Sequence, residues 1–189
     1  MQPDLHVYAD AAWVAIGLLW LAGAVTAKRT ERVQAGGSRL LQILLAVAAF
    51  HLIFRSTGSA LLDRQVLPDS SAIAYAGLIL TFTGIIFAAW ARLMLGGNWS
   101  ALVTIKKDHT IVRRGPYAIV RHPIYSGGLL GLLGTALVSG ELRTLIALPV
   151  LFVAWWAKLR QEERFMTDRF GDEYQQYQRD VKALIPFVL

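Results

Sequence analysis

The residues best placed to do chemistry lie in the stretch RRGPYAIVRHPIYSGG, Arg113 to Gly128, and in the adjacent pair Glu162 and Glu163. The stretch interrupts a strongly apolar chain with charge, aromatic rings and turn formers, after which apolar sequence resumes. His122 precedes Pro123, so its backbone is pushed towards the extended region, while proline suits the first helical position. His122 is therefore predicted to cap a helix whose first amides are unpaired and, together with the helix dipole, favour an anionic group. Arg121, Tyr117 and Tyr125 add a guanidinium and two aromatic rings to the same helix end. A histidine here also serves as a plain structural cap, and its neighbours are what argue for a ligand. Glu162 and Glu163 follow an apolar helix, where Arg160 and Arg164 could satisfy them as a solvated boundary. The functional alternative turns one carboxylate inward, to accept hydrogen bonds from ribose hydroxyls or an ammonium, or to stabilise a cation. The pair has neither the spacing of a glycoside hydrolase nor the histidine partners of a metal site, so no metal is expected.

The elements that position these groups are membrane helices. In 189 residues the chain is 55% hydrophobic and only 17% charged, so its excess apolar residues must face something other than water. A bilayer core of roughly 30 Å demands about 20 apolar residues of a helix. Five spans can be drawn: Tyr8 to Ala27, Leu40 to Leu62, Ala72 to Leu95, Tyr125 to Gly140 and Leu145 to Leu159. The first carries Asp10 rather than a basic leader and lacks a small-residue cleavage site before Lys28, so it reads as a retained span. The absence of cysteine excludes disulfides, thiolate metal sites and a cysteine nucleophile. The net charge of +6 sits in loops beside apolar spans, which fits anionic lipid headgroups and not nucleic acid.

Basic residues set the predicted orientation. Lys28, Arg29, Arg32 and Arg39 follow the first span, and Lys106, Lys107, Arg113, Arg114 and Arg121 follow the third. Both loops are expected in the cytoplasm, with the N-terminus outside and the C-terminus inside, as in a bacterial inner membrane. In the fourth span Gly127, Gly131, Thr135 and Ser139 form a ridge of small side chains, predicted to pack closely on a neighbour, most simply the fifth span. Pro149 is expected to kink the fifth span. Beyond it, Gly171 is expected to interrupt a polar helix, and a second amphipathic piece carries Tyr174 and Tyr177. His51 and Arg55, four apart, either line a cavity or are structural, with Arg55 snorkelling to the outer interface. The fold class is thus all-α: about five transmembrane helices with a cytoplasmic helical cap. One membrane domain is expected over 1–189, with three helices over 1–95 and, over 96–189, the half that carries the polar motifs and that the resemblance described below makes the catalytic one.

Four pieces in order, GGNWS, RRGPYAIVRHPIYSGG, the EE pair and FGDEYQQYQRDVKALIP, resemble isoprenylcysteine carboxyl methyltransferase and its prokaryotic integral-membrane relatives. The resemblance covers about Gly96 to Pro186; the earlier spans match only in hydropathy. It implies an S-adenosylmethionine-dependent membrane methyltransferase whose cofactor enters from the cytosol and whose lipophilic acceptor enters from the bilayer lipid. Tyr117, His122, Pro123, Tyr125, Leu129 and one or both of Glu162 and Glu163 would line the cofactor pocket. Asn98, Trp99 and a basic residue near Lys158 or Arg160 would lie close to the acceptor, with Arg160 and Glu163 taken as catalytic. The chain departs from the eukaryotic enzymes in its shorter N-terminal region and in the register of the basic residue before EE.

The chemistry is compatible. An activated methyl needs mainly alignment, which effective concentration supplies, and tyrosine faces can stabilise a sulfonium. A carboxylate acceptor needs no strong base; a hydroxyl or amine would turn to His122 or a glutamate. Two alternatives are a sterol-reductase-type membrane enzyme using NADPH, whose phosphate would occupy the same helix N-terminus, and a non-enzymatic membrane scaffold.

Overall fold

The computed structural model describes residues 4–24, 30–33, 36–96, 104–106 and 110–188. Among them the helices are α1 (Leu5–Ala24), α2 (Gly36–Phe54), α3 (Ser71–Leu95), α4 (Pro123–Ser139), α5 (Leu142–Phe170) and α6 (Asp172–Asp180). By length and composition α1, α3 and α5 can each cross a bilayer, and Leu40–Phe54 and Pro123–Ser139 are shorter apolar helices. Val14, Leu18 and Leu21 on α1, Leu44 and Val47 on α2, and Ile79, Ile86 and Leu93 on α3 all point outward. An apolar exterior of this kind belongs in hydrocarbon, and the protein is a polytopic helical membrane protein.

One addition to the all-helical expectation is a two-stranded antiparallel ribbon of β1 (Thr30–Val33) and β2 (Thr104–Lys106), with Thr30 opposite Lys106 and Val33 opposite Thr104. It ties the segment after α1 to the segment after α3, so both basic loops lie at one end of the bundle. The second predicted span ends early, at Phe54. Its expected continuation is a polar clasp: Asp63 accepts from the Ser56 hydroxyl (2.6 Å) and from the amides of Thr57 (3.0 Å) and Gly58 (2.8 Å). The fifth is longer than its apolar run, continuing unbroken through Pro149 to Phe170 and so carrying Glu162 and Glu163 beyond the apolar body.

The small-residue ridge of α4 does pack closely, but on α3 and not on the fifth span. A methyl on Gly127 would stand 2.5 Å from the Gly84 carbonyl oxygen, and one on Gly77 2.6 Å from that of Gly134. Two backbones approach this closely only because Gly77, Thr81 and Gly84 on α3 form a matching small ridge. Thr81 donates to the Gly131 carbonyl (3.2 Å), and Trp13 Nε1 of α1 donates to Thr135 Oγ1 (2.9 Å), stitching a third helix to the seam. Helix α5 meets the other side of α4 through larger groups: Leu132, Ala147 and Leu151 share a core with Ala49 and Ile53 of α2.

At the end away from the ribbon, buried Arg143 gathers three segments. It donates to the Leu52 (2.6 Å) and Ile53 (3.1 Å) carbonyls at the end of α2, and pairs with Asp63 (3.1 Å) and Glu141. The α4–α5 turn passes through Gly140, whose φ of 67° lies in the left-handed region that glycine tolerates. Its carbonyl accepts from the amides of Val66 (2.9 Å) and Leu67 (3.1 Å), joining the two nearly neutral loops. His51 and Arg55 are both exposed.

Candidate active site

At the opposite end, a short 3₁₀ turn (Gly115–Ala118) leads into α4, and Pro123 occupies its first turn with His122 at the cap position. The His122 side chain makes no capping bond to the helix. Its ring instead reaches α5, with Nε2 3.2 Å from Glu163 Oε1 and Nδ1 3.7 Å from Glu162 Oε2. The expected helix entry is therefore present, and its histidine sits between the two carboxylates.

The two glutamates have different environments. Glu163 is buried, and its Oε1 accepts from Arg121 Nε (2.9 Å) and Nη2 as well as facing His122. Glu162 turns to Tyr125, whose hydroxyl donates at 2.7 Å, and its side chain stays 25% exposed. Consecutive helical residues are rotated by about 100° around the axis, which is why one side chain enters the polar seam and the other borders it. Around Tyr125 lie the His122 ring (5.8 Å between centroids), the Trp155 ring (5.5 Å) and the Lys158 ammonium, 5.5 Å from its face. Gly128 leaves room for Trp155, since a methyl there would stand 2.7 Å from the indole.

The segment after α6 completes the site. The amides of Arg121 and His122 donate to the carbonyls of Lys182 (2.8 Å) and Ala183 (2.9 Å), and Ser126 Oγ donates to Leu184 O (2.6 Å). Arg121 Nη1 adds bonds to the carbonyls of Gln178 (3.2 Å) and Val181. Ala183 and Leu184 then pack with Leu159, against Tyr125, Leu129 and Trp156. Tyr177 donates to the Tyr117 carbonyl (2.5 Å), and Arg113 lies over the Tyr177 ring while reaching Glu173 at 3.3 Å. Burial pushes the Tyr117 phenol up and raises Tyr177 to about 12, so both are neutral at ordinary pH.

The structure thus brings together Tyr117, His122, Pro123, Tyr125, Leu129, Glu162 and Glu163. Arg160 is exposed and its guanidinium lies 5.8 Å from the Trp156 ring. Asn98 and Trp99 lie outside the described residues. The ion partner of Glu163 is Arg121, which the sequence places at this helix end without assigning it a role. The backbone pairing with 182–184 had no signal in the sequence. Among the described residues no group of His, Asp and Glu could hold a metal ion.

Residues 73–173 match the family model described as phospholipid methyltransferase. The chain belongs to the phospholipid methyltransferase family. The match takes in all but the first two residues of α3, the 3₁₀ turn, α4, α5 and the start of α6, and so the cluster from Tyr117 to Glu163 but neither Tyr177 nor the closing segment. Within the family the chain is 37% identical over 101 residues to protein-S-isoprenylcysteine O-methyltransferase of Schizosaccharomyces pombe, covering 52% of this chain and 43% of that protein. It is 32% identical over 120 residues to a cobalt-zinc-cadmium resistance protein of Cupriavidus metallidurans, covering 62% and 53%. The solved structure of the eukaryotic intramembrane Ras methyltransferase, isoprenylcysteine carboxyl methyltransferase, superposes with a TM-score of 0.57 at 26% identity, covering 82% of this chain and 55% of that one. The resemblance read from the four motifs is therefore borne out, and the chain spans about half the length of the curated relatives it matches.

Proposed function

We propose that the protein transfers a methyl group from S-adenosylmethionine to a lipophilic acceptor drawn from the bilayer. The observation that carries this reading is the Glu162 carboxylate, held by Tyr125 at 2.7 Å yet a quarter exposed, beside an aromatic ring and a helix N-terminus in a chain of this family. The residues fit such a cofactor. Its sulfonium and ammonium are cations, which a carboxylate and a tyrosine face attract. Its own carboxylate suits the amides of the first turn of α4.

When bound, the cofactor supplies a methyl whose bond to sulfur breaks, leaving the electron pair on sulfur, as the acceptor's lone pair forms the new bond to carbon. The chain's part is to bind and align. Glu162 and Tyr125 hold the cofactor's cationic side, Tyr117, Pro123 and Leu129 shape the pocket, and Glu163 positions His122 and Arg121. A carboxylate acceptor loses no proton; a hydroxyl or amine acceptor would pass one to His122 or Glu162. The family resemblance assigns Asn98, Trp99 and Arg160 to the acceptor, and Lys158 lies beside Tyr125. Positive loop charge supports an outside N-terminus and a cytoplasmic cofactor site in a bacterial inner membrane. The curated relatives named for isoprenylcysteine support an isoprenoid-type acceptor, and family membership supports methyl transfer over hydride reduction.

Calorimetry on detergent-purified, folded protein tests the cofactor, with binding of S-adenosylhomocysteine expected and its absence refuting the reading. Methyl-labelled cofactor with membrane lipid extracts tests transfer, and mass spectrometry of the extract identifies what gained the methyl.

A further inference from the structure

Beyond the segment that closes the site the described residues turn outward. After buried Ala183 and Leu184 come Ile185, Phe187 and Val188, which are 50%, 95% and 74% exposed. They form a turn: Val188 N donates to Ile185 O at 3.1 Å, Pro186 is at the second position, and Phe187 at the third has φ 66°. Proline followed by positive φ is the type II pattern, which favours glycine or asparagine at the third position. A bulky residue pays a steric penalty there, and here its side chain stands almost wholly outside the protein. The position of the turn identifies what covers it. Leu184 is fixed to Ser126 in the first turn of α4, and the Ala183–Leu184 pair packs on Leu159, Leu129 and Trp156, side chains of two apolar helices. The exposed turn therefore lies at the end of the bundle where α4 begins and α5 leaves its apolar run, the level of the membrane interface, with exposed Lys182 preceding it.

We propose that the turn 185–188 is a membrane-interface anchor, with Ile185, Phe187 and Val188 inserted at the acyl boundary of the bilayer and Lys182 facing its headgroups. The anchor holds the 182–184 segment against Arg121 and His122, so the bilayer braces the polar site. The inference depends on the membrane fold and stands whether or not methyl transfer is the activity.

The chain contains no cysteine, so a single spin label can be placed anywhere. Labels at Phe187→Cys, at Gln175→Cys on the exposed face of α6, and at Leu18→Cys on the outer face of α1 are compared in phosphatidylcholine–phosphatidylglycerol vesicles by oxygen and nickel-chelate accessibility. The expected result is an oxygen-to-nickel ratio at 187 that exceeds that at 175 and approaches that at 18. A ratio equal to that at 175 places the turn in water and overturns the proposal. Exclusion of both reagents places it against a second copy of the chain and also overturns it. Ile185→Cys and Val188→Cys carry the same test if the Phe187 variant does not fold.

Discussion

Replacing Glu163 removes the anion that ties α5 to the start of α4 and to the segment after α6. Arg121 and Glu163 have side chains only 9% and 7% exposed, and the same guanidinium bonds the carbonyls of Gln178 and Val181. Removing one partner of a buried pair costs about 3–5 kcal/mol, because the other charge is left uncompensated. Glutamine keeps an acceptor oxygen and loses chiefly the charge-assisted part, about 1.5–3 kcal/mol. The loss falls on the docking of α6 and the 182–184 segment, which native-state hydrogen exchange reads directly through the Arg121 and His122 amides. Since 1.4 kcal/mol is a factor of ten, protection of these amides falls by about two to three and a half orders of magnitude in Glu163→Ala and about one to two in Glu163→Gln. The combination of Arg121→Met with Glu163→Gln, which removes both charges, is less damaging than the sum of its parts. Exchange in Glu163→Ala within about threefold of the parent, some 0.7 kcal/mol, would refute the tether.

Three other outcomes follow from the packing. A methyl at Gly84 collides with the Gly131 amide and the Gly127 carbonyl, so Gly84→Ala spreads α3 from α4 at roughly 1–3 kcal/mol, lowering the melting temperature in detergent. Gly17→Ala, with open space around it, leaves that temperature unchanged or raises it. Trp13→Phe loses the bond to Thr135 and costs about 1 kcal/mol in the same melt, since Thr135 keeps its bond to the Gly131 carbonyl. Asp63 is lowered from its usual 3.8 to about 2, first by the Ser56 hydroxyl and then by the Thr57 amide. Because the folded value is the depressed one, its contribution is complete above the unfolded value and is lost as pH falls through about 2. Asp63→Asn flattens the acid limb of the melting profile there.

Hydropathy locates the spans because lipid imposes it on every outward face. It misplaces the end of the second span because the residues after Phe54 answer to Asp63, and a clasp made of backbone amides has no hydropathy signature. The small-residue ridge of α4 is plain in its four-residue spacing, but such a ridge names no partner. Adjacency in sequence points to α5, whereas the matching ridge of Gly77, Thr81 and Gly84 lies on α3. Around the site, the proline after His122 announces a helix start, and the paired glutamates at the end of an apolar run announce a second polar end at the same depth. Which glutamate enters the seam depends on helix rotation relative to α4. The pairing of Arg121 and His122 with Lys182 and Ala183 depends on contacts between segments far apart in the chain, which carry no periodicity.

That pairing has a consequence for biogenesis. Arg121 is synthesised before Glu163, and both precede the carbonyls at 178–183 that complete its coordination. At about 5–20 residues per second, the guanidinium waits several seconds between its own emergence and that of its last partners. During that interval the helices can already be inserted while the polar end is still open to water, where an unpaired arginine and glutamate are well solvated. Membrane insertion and completion of the site are thereby separated in time. A chain arrested after α5 would hold its place in the bilayer yet lack the segment that closes its polar end.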